Sequence, residues 1–124
     1  MTMKAMLAVL CVTVATGAQA DGDIKAGKKV FKKCKACHTL KEGDSRVGPT
    51  LYKIVGAASG AQEGFNYSSA MKEAELIWDE ETLAAFLTKP KDVVPRTTMS
   101  FAGLKKPQDV VDLVAYLKSE TEAE

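Results

Sequence analysis

The feature that most constrains this chain is the pentapeptide Cys34-Lys35-Ala36-Cys37-His38. It contains the only histidine of the 124 residues and two of the three cysteines, the third being Cys11. Two thiols and an imidazole this close together in sequence indicate one shared chemical site, and the fold has to be built around it.

Three chemistries use such a motif. A thioredoxin-like redox pair would need a βαβ setting, but the flanking sequence has the pattern of a helix. A zinc site needs about four protein ligands, and two cysteines with one histidine fall short. Covalent attachment of haem uses all three residues, because each thiol adds to a vinyl group and the histidine can ligate the iron. The C-x-x-C-H spacing is the signature of c-type haem, so we predict one covalently bound haem c.

The first twenty residues have the composition of a secretory signal. Lys4 is their only charge, an apolar run from Ala5 to Ala15 follows it, and Ala18-Gln19-Ala20 supplies small residues for a signal peptidase. The alternative is an uncleaved membrane anchor, but the apolar run is short for a span of about 20 residues. We expect cleavage after Ala20, a mature domain of residues 21–124 without Cys11, and export to a bacterial periplasm.

The length and composition of the remaining 104 residues indicate one globular domain. The chain is 46% hydrophobic, which is too apolar for a disordered chain. Beyond the first twenty residues it has no apolar run long enough to span a membrane. Basic and acidic side chains are equal in number after cleavage. That balance argues against nucleic acid as a partner, and we expect no stable membrane insertion.

Apolar periodicity and capping signals predict an all-α chain with no strand. Helices are expected over residues 23–36, 50–55, 68–73, 79–87 and 107–118. Residues 39–66 and 91–104 are expected to be largely loop, Pro90 is expected to end a helix, and the acidic tail from Glu120 to Glu124 is expected to fray. Loops this long are unusual in a small domain, but a buried haem that supplies much of the apolar core accounts for them.

The residues alone do not decide which side chain is the sixth iron ligand. No second histidine exists, which leaves Met71 and Met99 in the mature chain. Met71 lies in a helix-like stretch, where a methionine is more often core filling. Met99 lies in a loop between two helices that can bring its thioether to the iron, so position favours Met99.

These residues resemble the class I c-type cytochromes, and within them the bacterial cytochrome c2 and mitochondrial-like group. The resemblance covers residues 21–124 and implies a small fold of three main helices, with short helices and long loops wrapped around the haem. The matching residues, in order, are Gly27, Phe31, Cys34-x-x-Cys37-His38, Gly48-Pro49-Thr50-Leu51, Gly64-Phe65-Asn66-Tyr67, Trp78, Thr97-x-Met99-x-Phe101-Ala102-Gly103 and Leu113-x-Ala115-Tyr116-Leu117-Lys118.

The resemblance assigns roles to these positions. His38 and Met99 are implied as axial iron ligands, and the Pro49 carbonyl as the acceptor of the proximal imidazole N–H. Tyr67 and Trp78 match residues that hydrogen-bond a buried propionate, with Thr97 close to it. Gly27 and Phe31 match the place where the first and last helices cross, against Leu113 and Tyr116.

Three positions depart from the family pattern. Phe86 stands where many relatives have a tyrosine bonded to the methionine sulfur. Met71 stands where mitochondrial relatives have an asparagine, and Ala57 where they have an arginine near a propionate. The reduction potential is therefore not carried over with the fold.

An iron held by histidine and methionine exchanges one electron and leaves no ready place for a substrate, so we expect an electron carrier and not an enzyme. An enzyme or gas sensor whose Met99 dissociates is the main alternative, and a domain held permanently in a larger complex is another. The expected partners of a monomer are a quinol–cytochrome c oxidoreductase and a terminal oxidase or photosynthetic reaction centre. The resemblance places the docking charges around the haem edge: Lys33, Arg46, Lys91, Lys105 and Lys106.

Overall fold

The first helix, α1, spans Ile24–Val30 and begins one residue after its predicted start. The Asp23 side chain accepts hydrogen bonds from the backbone N–H groups of Lys25 and Ala26, at 2.9 and 3.2 Å. The computed structural model describes residues 22–123, so the predicted signal peptide, with Cys11, lies outside the described residues.

The expectation of one helix over residues 23–36 is wrong at its C-terminal end. The chain tightens after α1 into a 3-10 turn, Phe31–Lys33, as helices often do at their ends. Residues 34–37 then form a separate turn, in which the His38 N–H donates to the Cys34 carbonyl at 2.9 Å. The motif therefore occupies one helical turn of its own.

Two helices follow, each one residue after its predicted start. Helix α2, Ser69–Glu73, is capped by the Ser68 hydroxyl, which accepts from the Met71 N–H at 3.1 Å. Helix α3, Glu80–Thr88, is capped by the Asp79 carboxylate, which accepts from the Thr82 N–H at 2.7 Å. Hydrogen bonding from Thr82, first from its backbone and then from its side chain, lowers the pKa of the Asp79 carboxyl.

Pro90 ends one helix and begins another. Lys89, the residue before the proline, has φ −149° and ψ 89°, outside the helical region, which stops α3. Pro90 is then the first residue of a short helix α4, Pro90–Val93, because its fixed φ suits that position. The expectation that residues 91–104 are all loop is wrong over this turn.

The last helix, α5, spans Pro107–Glu122 and extends past its predicted end at Lys118. The expectation of a frayed tail is wrong as far as Glu122, while Glu124 lies outside the described residues. The Thr121 hydroxyl accepts from the Val55 N–H at 3.2 Å, which ties the final turn to the body of the protein.

The predicted helix over residues 50–55 is absent, and turns replace it. Lys53 has a left-handed φ of 50°, which interrupts a right-handed helix in the middle of this segment. Within residues 22–123 the only β-pairing is an isolated bridge between Ala58 and Ile77, so the all-α prediction is confirmed.

Helices α1 and α5 cross in close contact at Gly27, as predicted. A Cβ on Gly27 would lie 2.0 Å from the Asp112 carbonyl oxygen and 2.7 Å from the Tyr116 Cβ. The rings of Phe31 and Tyr116 meet with centroids 5.6 Å apart. The buried Asp112 carboxylate also accepts from the Asp23 N–H at 2.8 Å, so α5 holds the start of α1.

The hydrophobic core extends from this crossing towards α3. Phe31, Leu113 and Leu117 pack in one cluster with Leu83, Phe86 and Trp78. Across the part of the chain that is described, no helix combines the length and apolar character needed to cross a membrane.

Replacing Gly27 with alanine should destabilise the protein by about 1–3 kcal/mol, because the added methyl overlaps backbone that cannot rotate away. Chemical denaturation of the purified holoprotein measures this change. Lys28→Ala, at an exposed neighbouring position, is the control and should change stability by less than about 0.5 kcal/mol. Equal stabilities for the two variants would contradict the close approach of α1 and α5 at Gly27.

Candidate haem site

The cysteine–histidine turn presents three reactive side chains directly after the helix crossing. The Cys34 N–H donates to the Phe31 carbonyl at 2.8 Å, and the Cys37 N–H donates to the Cys34 carbonyl at 3.1 Å. Both thiols are half-buried, and no disulfide joins them. Phe31 packs on α5, so the turn is held by the most tightly packed part of the fold.

The environment of Cys34 is not that of a redox-active thiolate. Burial, and then the neighbouring Cys37, raise the pKa of the Cys34 thiol to about 11, with Lys33 acting in the opposite direction. Redox C-x-x-C motifs lower the pKa of their reactive thiol instead. No group of three His, Cys, Asp or Glu residues within 22–123 is arranged to hold a metal ion. A protonated Cys34 thiol beside an apolar cavity suits addition to a vinyl group.

His38 is held in one tautomer. Its Nδ1 lies 2.7 Å from the Pro49 carbonyl oxygen, which can only accept a hydrogen bond, so Nδ1 carries the proton. Nε2 is left with a lone pair that can bind iron. A metal-binding histidine is usually oriented by a hydrogen bond from its other ring nitrogen, here Nδ1, to an acceptor such as a backbone carbonyl.

Gly48 makes this arrangement sterically possible. A Cβ at this position would lie 2.3 Å from His38 Cε1 and 2.7 Å from His38 Nδ1. The Gly48 N–H also donates to the Cys37 carbonyl at 2.8 Å, so the loop cannot move away. Glycine is therefore required by the close approach of the imidazole ring.

The loop that carries Met99 is anchored at both ends. Val94 and Leu104 are buried, and the Leu104 N–H donates to the Leu87 carbonyl at 2.8 Å. Within the loop, the Thr97 hydroxyl accepts from the Met99 N–H at 3.3 Å. Met99 itself is half-buried against the core.

All eight site residues predicted from the sequence line one cavity: Cys34, Cys37, His38, Pro49, Tyr67, Trp78, Thr97 and Met99. Most of its other walls are apolar and come from Leu51, Ile54, Phe65, Leu83, Phe86, Leu87 and Leu117, with Ala57 and Met71 also present. Thiols, an imidazole and a thioether around an apolar cavity fit a covalently held haem. Because Met71 lines the same cavity, lining alone does not choose between the two methionines.

Two polar side chains in the lining are well placed to donate. The Tyr67 hydroxyl accepts from the Gln62 N–H at 3.1 Å, which leaves its own proton available to an acceptor. Burial raises the pKa of Tyr67, partly offset by that hydrogen bond, so it stays protonated at neutral pH. Trp78 is buried with its ring 5.0 Å from that of Phe86. Pairing of its backbone with Ala57 holds it in place.

The predicted docking charges are distributed unevenly about the cavity. Lys33 lines it, whereas the other four, Arg46, Lys91, Lys105 and Lys106, are exposed without lining it. Arg46 forms an exposed ion pair with Asp44 at 3.4 Å, a contact of little energetic weight. Val47, between Arg46 and Gly48, is 77% exposed and also lines the cavity.

The roles of three residues were not predicted from the sequence. Gly48 was recognised only as part of a loop motif, and Val47 was not identified as an exposed apolar residue in the cavity wall. The Thr50 hydroxyl was also given no role, although Thr50 is 1% exposed. The Gly-Pro pair signals a turn in the sequence, but the histidine that approaches it is a tertiary contact.

Gly48→Ala should displace the His38 ring and weaken its hydrogen bond to Pro49, because the methyl would occupy the position of the ring edge. We expect a loss of about 1–3 kcal/mol in stability and shifted His38 ring resonances in the NMR spectrum of the holoprotein.

Gly43→Ala is the matched control, since a Cβ there meets nothing within 4 Å but the φ of +70° is strained. It should cost stability without moving the His38 resonances. His38 resonances that stay in place in Gly48→Ala would contradict the proposed steric role.

Comparison with known proteins agrees with this site. The family model described as cytochrome c matches residues 24–121. Cytochrome c2 of Rhodomicrobium vannielii is 50% identical over 107 residues, covering 83% of each chain. Cytochrome c of Sesamum indicum is 47% identical over 102 residues, covering 81% of this chain and 92% of its own.

A solved structure confirms the predicted fold. Cytochrome cH from Methylobacterium extorquens superposes with a TM-score of 0.74 at 44% identity, covering 79% of this chain and 99% of the other. The chain therefore belongs to the cytochrome c family, whose members carry covalently bound haem c and act as electron-transfer proteins and not as enzymes.

Proposed function

We propose that this chain is an exported periplasmic one-electron carrier whose haem iron is held by His38 and Met99. The observation that carries the proposal is the convergence of the cysteine–histidine turn and the Met99 loop on one apolar cavity. When bound, haem c supplies one-electron exchange between ferric and ferrous iron.

Each residue of the turn has a distinct role in this proposal. Cys34 and Cys37 hold the haem through thioether bonds, and His38 ligates the iron through Nε2. The Pro49 carbonyl keeps the proton on His38 Nδ1, which makes the ring a stronger electron donor.

Met99 is the better distal ligand of the two methionines. Its loop is anchored at Val94 and Leu104, and its N–H is bonded to the Thr97 hydroxyl. Met71 lies in the short helix α2, where the Ser68 hydroxyl accepts a hydrogen bond from its N–H. Because a methionine in a helix is more often core filling, we assign Met71 to the cavity wall.

Three further residues are assigned to the haem propionates. Tyr67 and Trp78 supply O–H and N–H donors from the cavity wall, and Thr97 supplies a hydroxyl whose oxygen already accepts from Met99. Donors placed in this way stabilise a carboxylate that burial would otherwise destabilise.

Filling both axial positions with side chains favours a carrier over an enzyme or gas sensor. A sensor or enzyme needs an open coordination position, and Met99, on a loop fixed at both ends, would fill that position when haem is bound. The buried walls around it, including Phe86 and Leu83, also limit the entry of water.

Export and location rest on the sequence of residues 1–20. We propose cleavage after Ala20 to give a monomeric domain of residues 21–124 in the periplasm. The signal-like pattern at the N-terminus supports this proposal, and so does the resemblance to a bacterial cytochrome c2.

The cavity mouth is proposed as the docking surface for redox partners. Lys33 and the exposed Val47 both line it, which places a charge and an apolar contact together. The family resemblance implies that Arg46, Lys91, Lys105 and Lys106 lie near the same edge. These charges would attract acidic surfaces, as on a quinol–cytochrome c oxidoreductase, a terminal oxidase or a photosynthetic reaction centre. A small interface of this kind allows fast release.

Met99→Ala tests the function and the ligand together. The variant should lose its low-spin spectrum, bind cyanide or carbon monoxide readily and have a lower midpoint potential, because the thioether favours ferrous iron. Optical spectra recorded during a redox titration measure all three changes, and the wild type should titrate reversibly as a one-electron couple.

Met71→Leu is the control, as it keeps the size and apolar character of a residue that lines the same cavity. It should retain the wild-type spectrum. Ligand binding by Met71→Leu but not by Met99→Ala would reverse the assignment, and ready binding by the wild type would favour the enzyme or sensor.

Lys33→Glu should slow oxidation by a purified terminal oxidase at low ionic strength by about two- to tenfold, because steering by charge acts mainly on association. Lys72→Glu, an exposed position on α2 outside the cavity lining, makes the same change in net charge and should have a smaller effect. Stopped-flow kinetics over a range of salt concentrations distinguish the two, and equal slowing would argue against docking at the cavity mouth.

A further inference from the structure

One peptide group connects His38 to a set of buried hydroxyls. The Pro49 carbonyl lies 2.7 Å from His38 Nδ1, and the N–H of the same peptide belongs to Thr50. That N–H donates to the Ser45 hydroxyl oxygen at 3.0 Å. Because a peptide group is planar, hydrogen bonds at its two ends fix the direction in which the carbonyl points.

The Thr50 side chain fixes the same peptide from the other side. Thr50 is 1% exposed, and its hydroxyl donates to the Lys41 carbonyl at 2.6 Å. The same oxygen accepts from the Tyr52 N–H at 3.2 Å. Thr39 adds a bond across the loop, its hydroxyl donating to the Asp44 carbonyl at 2.7 Å.

The bond from the Thr50 N–H to Ser45 affects how strongly the Pro49 carbonyl accepts a hydrogen bond, as well as where it points. Hydrogen bonds in a chain polarise one another, so a donor bond from the Thr50 N–H to Ser45 makes the Pro49 carbonyl a stronger acceptor. A stronger acceptor draws the His38 Nδ1 proton more firmly and increases the electron density at Nε2. Greater donation from the ring stabilises ferric iron and lowers the reduction potential.

We propose that Ser45 and Thr50 are positioning residues that set the reduction potential through the Pro49–Thr50 peptide and His38. This inference rests on the proposed ligation of iron by His38. Neither residue touches the iron in this scheme, and each acts only through the carbonyl.

Ser45→Ala and Thr50→Val test the proposal in the haem-loaded protein. Both should raise the midpoint potential and speed exchange of the His38 Nδ1 proton with solvent by about two- to tenfold, the range for one weakened hydrogen bond. NMR of the ferrous protein measures the exchange. Ser45→Thr and Thr50→Ser keep the hydroxyls and should restore both quantities towards wild type.

Thr88→Val is the control for removing a threonine hydroxyl, since Thr88 is exposed and bonds the Ala84 carbonyl within α3. It should leave the potential and the exchange rate unchanged. Lower stability in Ser45→Ala with both quantities unchanged would overturn the proposal by showing a purely structural role. So would equal shifts in the alanine and threonine variants of Ser45. If Thr50→Val fails to fold, the half-buried Ser45 position decides the question.

The failure of the underlying ligation would be seen differently. If His38 is not a ligand, its ring protons in the wild-type ferrous protein will not show the large ring-current shift of an axial imidazole. That result rejects the proposed site, whereas unchanged potentials with a shifted His38 spectrum reject only the roles of Ser45 and Thr50.

Discussion

The close crossing of α1 and α5 is the contact on which the rest of the structure depends. Gly27 allows the helices to approach until a single methyl group would overlap the Asp112 carbonyl. Phe31, one turn later, packs its ring on Tyr116 and leads directly into the turn that begins at Cys34. A cofactor joined to that turn is therefore attached directly beside the closely packed crossing of α1 and α5.

Loops, and not helices, complete the cavity on both of its other sides. The loop around Pro49 is held by serine and threonine hydroxyls, and the loop around Met99 by buried anchors at Val94 and Leu104. Such segments satisfy their backbone groups through side chains and turns in place of a helical ladder. This explains how a domain of about one hundred residues can tolerate so much irregular chain: the apolar walls face one prosthetic group.

Local signals in the sequence were sufficient for the caps and the motif, but not for features set by distant contacts. Asp23, Ser68 and Asp79 mark three helix starts correctly because each cap is a short-range hydrogen bond. The prediction of a helix over residues 50–55 was wrong because Lys53 adopts a left-handed backbone conformation in the middle of the segment. The site residues were gathered correctly into one cavity only because the family resemblance supplied the tertiary arrangement that periodicity lacks.

The positions that depart from the family pattern indicate how this chain adjusts its potential. Phe86 and Met71 line the cavity. The family resemblance implies a tyrosine in many relatives at the first position and an asparagine in mitochondrial relatives at the second. Phe86 is buried, so the missing hydroxyl lowers polarity where solvent cannot replace it, which disfavours the extra charge of ferric iron. Ala57 removes a cation, which has the opposite effect, but it lies half-buried beside the exposed Ala58, where water and salt screen charges. The buried apolar substitutions should therefore outweigh the missing arginine and raise the potential, while the Pro49–His38 hydrogen bond acts against that increase from the proximal side.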